Sequence, residues 1–537
     1  MPSRTLEGAV AHRPHVARRR SRDGPQGARI CCRGPRGPND LPAVGAEEFG
    51  QRLARGADRP HGGAVRRSDV VELVATRSGA PLVGTRHEHP AGRTPREAFR
   101  RRTPRCRGRP HLRHQQDARQ ERRPSDAHEL MVAPWPQVRE GGTVLPIMDF
   151  RVPDELQALV DSYRSFLDRE VRPVEERFAL RLQEDELTDE IREEGLRLRR
   201  RSAELGFYAA HMPESVGGQG LSSLGYTLLV EAGAQTGYRF GAFTLGPPNP
   251  EAPNPILMDL PQHLHAKYVE PLVRGETTMC FALTEPEAGS DAQAIRTSAV
   301  QDDGHWVLNG RKHFITNGAG ADVAIVFAVN DREKRAAGGI TAFLVERDTP
   351  GFTVGKNQRT LAGDTNQAEL IFDDCRVPGD NVIGEVGFGF GSAMKFLNGG
   401  RAFIGAMCVG VADYLLRITT EYAKQRTTFG KPIGKNQAVQ WMLADSALEI
   451  HASRLMTYHL AWLVDEGGYP IKESSMVKLN NTEMVGRVAD RAVQIWGGMG
   501  LLTEGPVERI YRLVRMLRVV EGASEIQRLI IARSLGL

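Results

Sequence analysis

The chain has 537 residues, of which 40% are hydrophobic and 26% charged, and its formal net charge is +5. Such a length allows two to four domains with large cores. Residues 1–147 hold 29 arginines, no lysine and 15 acidic residues, whereas residues 148–537 hold 42 basic and 51 acidic residues. The basic character therefore belongs to residues 1–147. Residues 148–537 are mildly acidic, which excludes a strongly basic nucleic-acid-binding domain there.

The sequence also argues against a membrane span and a metal site. Asp413 interrupts the best apolar run, residues 402–416, so no run is long enough to cross a bilayer. The sparse cysteines show no metal-ligand spacing, and we predict no metal. Unpatterned cysteines are typical of a reducing compartment.

Residues 1–147 are rich in Arg, Pro and Gly and show no sustained apolar period. A transit peptide is acid-poor and usually much shorter. An RNA-binding tail would need more aromatic residues for stacking. We therefore expect an extension that is disordered or not naturally translated, with the working protein starting near Met148.

Residues 148–270 have helical patterns and are predicted to form an N-terminal helical domain. Asp154 begins a helix that Pro173 should limit. Further helices are predicted over residues 196–205 and 223–234. The proline-rich segment 246–255 cannot be helical, and it is either a plain connector or a segment that shapes substrate access.

Residues 271–385 change to short β-branched and aromatic runs, which predict a compact antiparallel, barrel-like β-domain. The predicted strands are residues 305–308, 323–329, 340–345 and 368–372. The preceding loop, 281–291, combines small residues with hydroxyls. Such a loop can present N–H and hydroxyl donors to a polar ring edge or a phosphate, although an ordinary turn also fits.

Residues 386–537 are predicted to form a C-terminal four-helix bundle. Its long helical patterns cover residues 403–422, 438–464 and 476–495, with apolar stripes typical of core packing. Between the first two helices, Arg426-Thr-Thr-Phe-Gly430 supplies a cation, two hydroxyls and an aromatic ring. That combination suits pyrophosphate binding.

Glu521 lies in a predicted break between the last two helices, after Val519 and Val520 and before Gly522. A carboxylate at such a junction can be partly desolvated, which raises its pKa toward the pH at which a general base works. An ordinary acid near a helix end is the alternative reading.

Five motifs together resemble the signatures of the acyl-CoA dehydrogenase family, and the resemblance covers about residues 148–537. They are T-E-P-E-A-G-S-D (284–291), G-R-K-H-F-I-T-N-G (310–318), R-T-T-F-G (426–430), Q-I-W-G-G-M-G (494–500) and E-G-A-S (521–524). The resemblance implies a mainly α fold with a central β-domain, FAD as cofactor and an acyl-CoA substrate.

The resemblance also implies roles for individual residues. Glu521 would be the catalytic base, and Gly400 leaves no base at the alternative family position beside Arg401. Substrate contacts would come from Ser290, Asn398, Arg401 and Gly522. Cofactor contacts would come from Thr284, Phe314, Thr316, Arg426, Thr428, Phe429, Gln437, Gln494, Gly498 and Glu525.

Three positions depart from the family pattern. Asn398 stands where many members have Asp, and Ala523 replaces the Thr of E-G-T-S, which removes a hydroxyl near the flavin. Phe314 replaces a larger aromatic residue and loses a hydrogen-bond donor. We therefore expect weaker cofactor binding or a somewhat different ring environment.

The implied reaction is the α,β-dehydrogenation of an acyl-CoA thioester to a trans-2-enoyl-CoA. Glu521 would take the α-proton and flavin N5 the β-hydride, with Thr316 donating to N5. A flavin ribityl hydroxyl and the Glu521 backbone N–H would stabilise the enolate oxygen.

The resemblance further implies an electron-transfer flavoprotein as acceptor and a homo-oligomer, either a dimer or a tetramer, because the 426–430 loop would reach the cofactor of a neighbouring subunit. We expect a cytoplasmic bacterial protein without a nucleic-acid or membrane partner.

Three other functions remain open at this point. A flavoprotein oxidase of the same fold would use O2 as oxidant. A flavin-binding homologue without turnover is supported only by Ala523 and Asn398. RNA binding would have to depend on residues 1–147.

Overall fold

The computed structural model describes residues 151–183, 188–237, 239–361 and 363–537. The predictions for residues 1–147 lie outside the described residues. The described chain runs from helices through a β-sheet to a second set of helices, which confirms the predicted fold class. The domain boundaries at 270/271 and 385/386 stay predictions.

The N-terminal part is helical, and its helices bury aromatic and aliphatic side chains in a common core. α4 begins earlier than predicted because the Thr188 hydroxyl caps it by accepting a hydrogen bond from the Ile191 N–H. The helix bounds are α1 (Asp154–Phe166), α2 (Arg172–Arg177), α3 (Ala179–Gln183), α4 (Asp189–Glu204), α5 (Ser223–Ala234) and α6 (Glu270–Val273).

The prediction that Pro173 limits the first helix is wrong. A π-helical turn, Leu167–Val171, joins α1 to α2, and the Arg172 N–H donates to the Leu167 carbonyl. Pro173 then lies in the first turn of α2, where a backbone N–H has no intrahelical partner to lose. The helical path therefore continues through the proline.

The middle part contains an eight-stranded sheet with the order β6-β7-β3-β2-β4-β5-β8, and β1 pairs with β4. Most pairs are antiparallel, as predicted, but β1 and β2 run parallel to β4. The strands are β1 (Met279–Ala282), β2 (Ser298–Asp302), β3 (His305–Ile315), β4 (Val323–Val329), β5 (Ile340–Glu346), β6 (Phe352–Thr360), β7 (Gly363–Pro378) and β8 (Val382–Ile383).

β3 carries one of the predicted motifs, and its pairing with β7 is irregular at two places. The first irregularity includes Gly310, whose φ is +151°. A Cβ there would lie 2.6 Å from the Thr297 hydroxyl oxygen. Glycine therefore lets the strand pass Thr297 and continue to Thr316.

The C-terminal part consists of long packed helices, a short hairpin and two final helices. α7 packs against α5, α8 and α9, and both final helices pack against α9. The elements are α7 (Gly389–Gln425), β9 (Thr427–Thr428), β10 (Lys431–Pro432), α8 (Gln437–Asp465), α9 (Ile471–Trp496), α10 (Pro506–Met516) and α11 (Ser524–Ser534).

α7 is longer than predicted and, in the described part of the chain, it is the one helix with the length and composition to cross a membrane. The sequence had suggested that no run is long enough. More than half of its apolar window is buried inside the protein, against α5, α8 and α9. α7 is therefore the core helix of the C-terminal part.

Candidate active site

Glu521 lies in the turn between α10 and α11, in the left-handed region with φ of +55°. Glu483 of α9 holds this turn from both sides. One carboxylate oxygen accepts a hydrogen bond from the Ser524 hydroxyl at 2.9 Å, and the other lies 3.2 Å from Arg518 Nε. The Ser524 N–H also donates to the Arg518 carbonyl, which closes the loop around Glu521.

Gly522 follows with φ of +89°, and only glycine fits this position. A Cβ would lie 2.6 Å from Gln527 Nε2, which donates to the carbonyls of Glu521 and Gly522. The same Cβ position is 3.8 Å from Arg401 Nη2. The predicted substrate residues Gly522 and Arg401 are therefore neighbours.

Arg401 reaches this junction from α7, and its side chain is held by neutral partners. It is 4% exposed. Its Nη1 donates to Asn398 Oδ1 at 2.6 Å and to the Ser475 hydroxyl at 3.4 Å. Asn398 Nδ2 in turn donates to the Tyr469 hydroxyl. The structure thus brings together Asn398, Arg401, Glu521 and Gly522.

The environment of Glu521 favours its protonated form. Burial raises the pKa of Glu521 from its ordinary value of 4.5 to about 7, although Arg401 and Lys478 act in the opposite direction. Burial also lowers the pKa of Arg401, with Glu521 opposing the change. A carboxylate with a pKa near 7 can accept a proton at neutral pH.

The backbone N–H of Glu521 donates no hydrogen bond to any residue that the structure describes. It is therefore available to an external oxygen beside the carboxylate. A base and a free N–H on one residue suit proton abstraction next to a carbonyl, because the N–H can stabilise the charge that develops on the oxygen.

Sequence reasoning missed Lys478, Glu483 and Gln527, which surround this junction. Lys478 and Glu483 lie on α9 within the predicted apolar helix 476–495. A lysine within an otherwise apolar helical stripe was the signal that could have found Lys478. Lysine side chains are rarely fully buried unless they are paired.

A second group of predicted residues lies on the middle sheet. The Lys312 ammonium, fully buried, donates to Glu285 Oε1 at 2.7 Å and to the Leu283 carbonyl at 3.1 Å. The His313 N–H donates to the Thr284 carbonyl. These bonds fix the 281–291 loop against β3, so Thr284 lies beside the segment that carries Phe314 and Thr316.

Phe314 and Thr316 lie at the end of β3, where Phe314 is exposed and Thr316 is half-buried. Phe314 has φ of +57°, and its side chain is 57% exposed. Gln367 Nε2 donates to the Phe314 carbonyl at 3.1 Å and to the Thr316 hydroxyl oxygen at 3.3 Å. An exposed aromatic ring with an oriented hydroxyl fits a planar cofactor with a polar edge, as the expected flavin has. Ser290 is exposed on the adjoining loop.

A third group lies at the ends of the C-terminal helices. Arg426 and Thr428 belong to the β9–β10 hairpin, and Phe429 at its tip is fully exposed with φ of +49°. Tyr422 at the base of this hairpin stacks on Trp496, with ring centroids 4.3 Å apart.

That stacking places the hairpin beside the end of α9, where Gln494 is exposed in the last helical turn and Gly498 is exposed in the glycine turn that follows. Gln437 is exposed at the start of α8, and Glu525 is exposed in the first turn of α11. Among the described residues, no hydrogen bond joins the third group to Thr284, Phe314 or Thr316. The predicted cofactor residues thus fall into two groups that no hydrogen bond joins directly in the described part of the chain.

The described residues contain no cluster of three or more potential metal ligands.

The sequence matches three parts of one protein family. Residues 153–276 match "Acyl-CoA dehydrogenase, N-terminal domain", residues 280–375 match the middle domain, and residues 387–536 match the C-terminal domain. These matches together cover well over half of the chain.

Curated relatives agree with this assignment. The mitochondrial short-chain specific acyl-CoA dehydrogenase of Rattus norvegicus is 38% identical over 384 residues, which cover 71% of this chain and 90% of the relative. The caffeyl-CoA reductase-Etf complex subunit CarC of Acetobacterium woodii is 36% identical over 375 residues, which cover 69% of this chain and 98% of the relative.

Solved structures show the same fold. Butyryl-CoA dehydrogenase from Megasphaera elsdenii has a TM-score of 0.64 at 33% identity, with coverage of 73% of this chain and 100% of that one. A structure described as an electron transferring flavoprotein of Acidaminococcus fermentans has a TM-score of 0.65 at 34% identity, with coverage of 72% and 99%. The chain therefore belongs to the acyl-CoA dehydrogenase family and is an enzyme of that family.

Proposed function

We propose that this enzyme dehydrogenates a short acyl-CoA thioester to the trans-2-enoyl-CoA, with Glu521 as the base. The observation that carries the proposal is Glu521 itself, a carboxylate with a pKa raised to about 7 whose own backbone N–H donates to no described residue. The short chain is supported by relatives named for short-chain substrates.

Glu521 would accept the α-proton of the thioester. The pKa of that proton is far above 7, so the base needs help from donors that stabilise the enolate oxygen. The Glu521 N–H is one such donor on this chain. Arg401 assists by favouring the ionised form of the base before the reaction, since its buried guanidinium lies next to the junction.

Members of this family depend on FAD, which supplies the acceptor for the β-hydride when it is bound. Thr284, Phe314 and Thr316 would hold the ring end of the cofactor. Arg426, Thr428, Phe429, Gln437, Gln494 and Gly498 would hold the cofactor of a neighbouring subunit, and Glu525 would complete the site.

The proposal includes a homo-oligomer, and two exposed apolar features support it. Phe429 projects fully from the β9–β10 hairpin. Trp441, Leu448 and Leu455 are exposed on α8 at intervals of seven residues, which place them on one face of the helix. Exposed apolar faces of this kind are typical of interfaces between subunits.

We also propose an electron-transfer flavoprotein as the electron acceptor. The names of two similar proteins support it, since CarC belongs to a complex with Etf and the Acidaminococcus fermentans structure is described as an electron transferring flavoprotein.

The test is the substitution Glu521→Gln in the FAD-loaded full chain. We expect the variant to retain FAD and to bind butyryl-CoA, but to lose flavin reduction by about three orders of magnitude or more, because no base remains. Anaerobic bleaching of the flavin absorbance measures the rate.

Glu504→Gln is the matched control, since Glu504 is an exposed acid outside the site, and its rate should equal that of the wild type. Near-normal reduction by Glu521→Gln would refute the assignment of the base. Rapid formation of H2O2 when the reduced wild type meets air would instead identify an oxidase.

A further inference from the structure

Two cations are buried behind Glu521, and neither forms an ion pair within 4.0 Å of a carboxylate in the described part of the chain. Arg401 is 4% exposed, and Lys478 is 0% exposed. The Lys478 ammonium also makes no hydrogen bond to any described residue. A buried ammonium without a partner costs folding free energy, so its position calls for a reason.

The helix α9 carries Lys478 along with two residues that hold this junction. Ser475, one turn earlier on the same face, accepts a hydrogen bond from Arg401. Glu483, further along α9, holds Ser524 and Arg518 on the two sides of Glu521. Lys478 therefore lies between the α9 residue that binds Arg401 and the α9 residue that fixes the Glu521 turn.

The groups that act electrostatically on Lys478 are Glu521, the Cys408 thiol of α7, Arg401 and Glu483. Burial raises the pKa of Cys408 to about 12, so the thiol is neutral at physiological pH. Glu483 is already bound by Arg518 and Ser524. Glu521 is therefore the carboxylate left for Lys478 to stabilise, whereas Tyr469 faces Arg401.

We propose that Lys478 is a positioning residue whose buried ammonium stabilises the ionised form of Glu521 and so sets the pH range in which Glu521 can act. This inference rests on the proposed role of Glu521 as the base. Lys478 does not contact the substrate; it acts through the carboxylate.

The directions in which the pKa values of Lys478 and Glu521 are shifted agree with this role. Burial lowers the pKa of Lys478 to about 8, with Glu521 acting in the opposite direction, so most of the ammonium is still protonated at pH 7. Burial raises the pKa of Glu521 even with both cations present. Without Lys478, the protonated form of Glu521 would be favoured further, and less base would be available at neutral pH.

The test is Lys478→Met in the FAD-loaded full chain, with the rate of flavin reduction by butyryl-CoA measured anaerobically from pH 5.5 to pH 9. We expect the midpoint of the rising limb to move up by about one pH unit, since a neighbouring opposite charge typically shifts a carboxyl pKa by that amount or more. The rate below the midpoint should fall about tenfold, while the plateau at high pH should be unchanged.

Two matched variants isolate the charge. Lys478→Arg keeps the cation and should keep the wild-type midpoint. Cys408→Ala changes another buried side chain next to Lys478 without removing a charge, and its midpoint should also stay in place. Lys478→Gln repeats the loss of charge with a polar side chain in case the Met variant does not fold.

A purely structural role predicts a different result. It predicts a lower melting temperature with an unchanged midpoint, and that outcome would overturn the proposal. We expect instead that Lys478→Met melts at the same or a higher temperature at pH 7, because a buried charge has been removed. A wild type that shows no ionisation near pH 7, together with an active Glu521→Gln, would reject the base itself and not merely the role of Lys478.

Discussion

Glu521 combines two unfavourable features, a left-handed backbone and a desolvated carboxylate. A residue with a side chain at φ of +55° is strained unless its surroundings hold it there. Here Glu483, Gln527 and the bond from Ser524 to Arg518 hold the turn. Strain and desolvation at one residue are typical of a site kept for activity and not for stability.

The raised pKa of Glu521 predicts that Glu521→Gln stabilises the protein at alkaline pH. The folded chain holds this proton up to about pH 7, against an ordinary value of 4.5, so the stability contributed by the protonated group is lost as pH rises from 4.5 through 7. The melting temperature of the variant should exceed that of the wild type by roughly 3 °C at pH 8. Calorimetry at pH 5 and pH 8 measures the difference.

The difference in melting temperature between Glu521→Gln and the wild type should nearly vanish at pH 5, where the wild-type carboxyl is already protonated. An equal gap at both pH values would show that the gain does not come from the ionisation of Glu521. Glu504→Gln, an exposed control, should leave both melting temperatures unchanged.

Among single residues, the sequence indicated the central carboxylate but not the buried lysine near it. A single acid between two helices and before a glycine indicated a desolvated carboxylate, and burial does raise the pKa of Glu521. Lys478 could not be predicted in the same way. Its importance depends on complete burial and on which carboxylate faces it, and both depend on how α7, α9 and the final turn pack together.

Among the elements, the 281–291 loop depends on one buried ion pair. Lys312 and Glu285 are both buried, and their charged atoms are 2.7 Å apart. Burial acts to raise the pKa of Glu285, but Lys312 and backbone donors overcome it and lower the pKa. Burial lowers the pKa of Lys312 to about 8, and Glu285 opposes this. Each charge therefore depends on the other.

We predict that Lys312→Met lowers the free energy of unfolding by about 3 kcal/mol, since it leaves the Glu285 carboxylate buried without its cation. Retention of FAD should weaken as well, because the loop that carries Thr284 loses the two hydrogen bonds that Lys312 donates to it from β3. Urea denaturation and the flavin content of the purified protein measure the two effects.

Lys334→Met is the control within the same sheet region. Its partner Asp331 lies 3.2 Å away, but Lys334 is largely exposed, and surface pairs contribute little. This variant should change the unfolding free energy by less than about 0.5 kcal/mol. Similar losses for both variants would mean that burial does not strengthen the Lys312 pair.

The elements themselves were predictable where the local pattern is strong. α5 has the predicted bounds, and β4 is a continuous apolar run that matches its prediction. β1 and β2 were missed because each is short and their pairing with β4 joins distant parts of the chain. The helix end predicted at Pro173 was wrong because a π-helical turn accommodates the proline, and no local sequence pattern predicts such a turn.

For the whole molecule, the exposed stripe of α8 predicts that the subunits associate through this helix. Leu448 lies in the middle of the stripe, between Trp441 and Leu455. Leu448→Glu would bury a carboxylate in an apolar interface, which is costly. We expect a smaller assembly by light scattering, with lower FAD content because Arg426 and Phe429 are expected to serve a neighbouring subunit.

Leu535→Glu places the same charge on an exposed leucine near the end of the chain. It should leave the mass and the flavin content unchanged. If Leu448→Glu has the mass of the wild-type assembly, the stripe is not the interface. The mutual arrangement of subunits lay beyond sequence reasoning, since periodicity alone does not distinguish an exposed apolar face from a buried one.

The conformation of Glu521 also limits how this lineage could change over evolutionary time. At φ of +55° a β-branched residue is disfavoured, whereas Asn, Asp and Gly are tolerated. Aspartate is the one tolerated replacement that keeps a carboxylate, but its side chain is shorter by one methylene group. Descendants of this chain could therefore lose the carboxylate at this position easily, yet could regain a glutamate there only with difficulty.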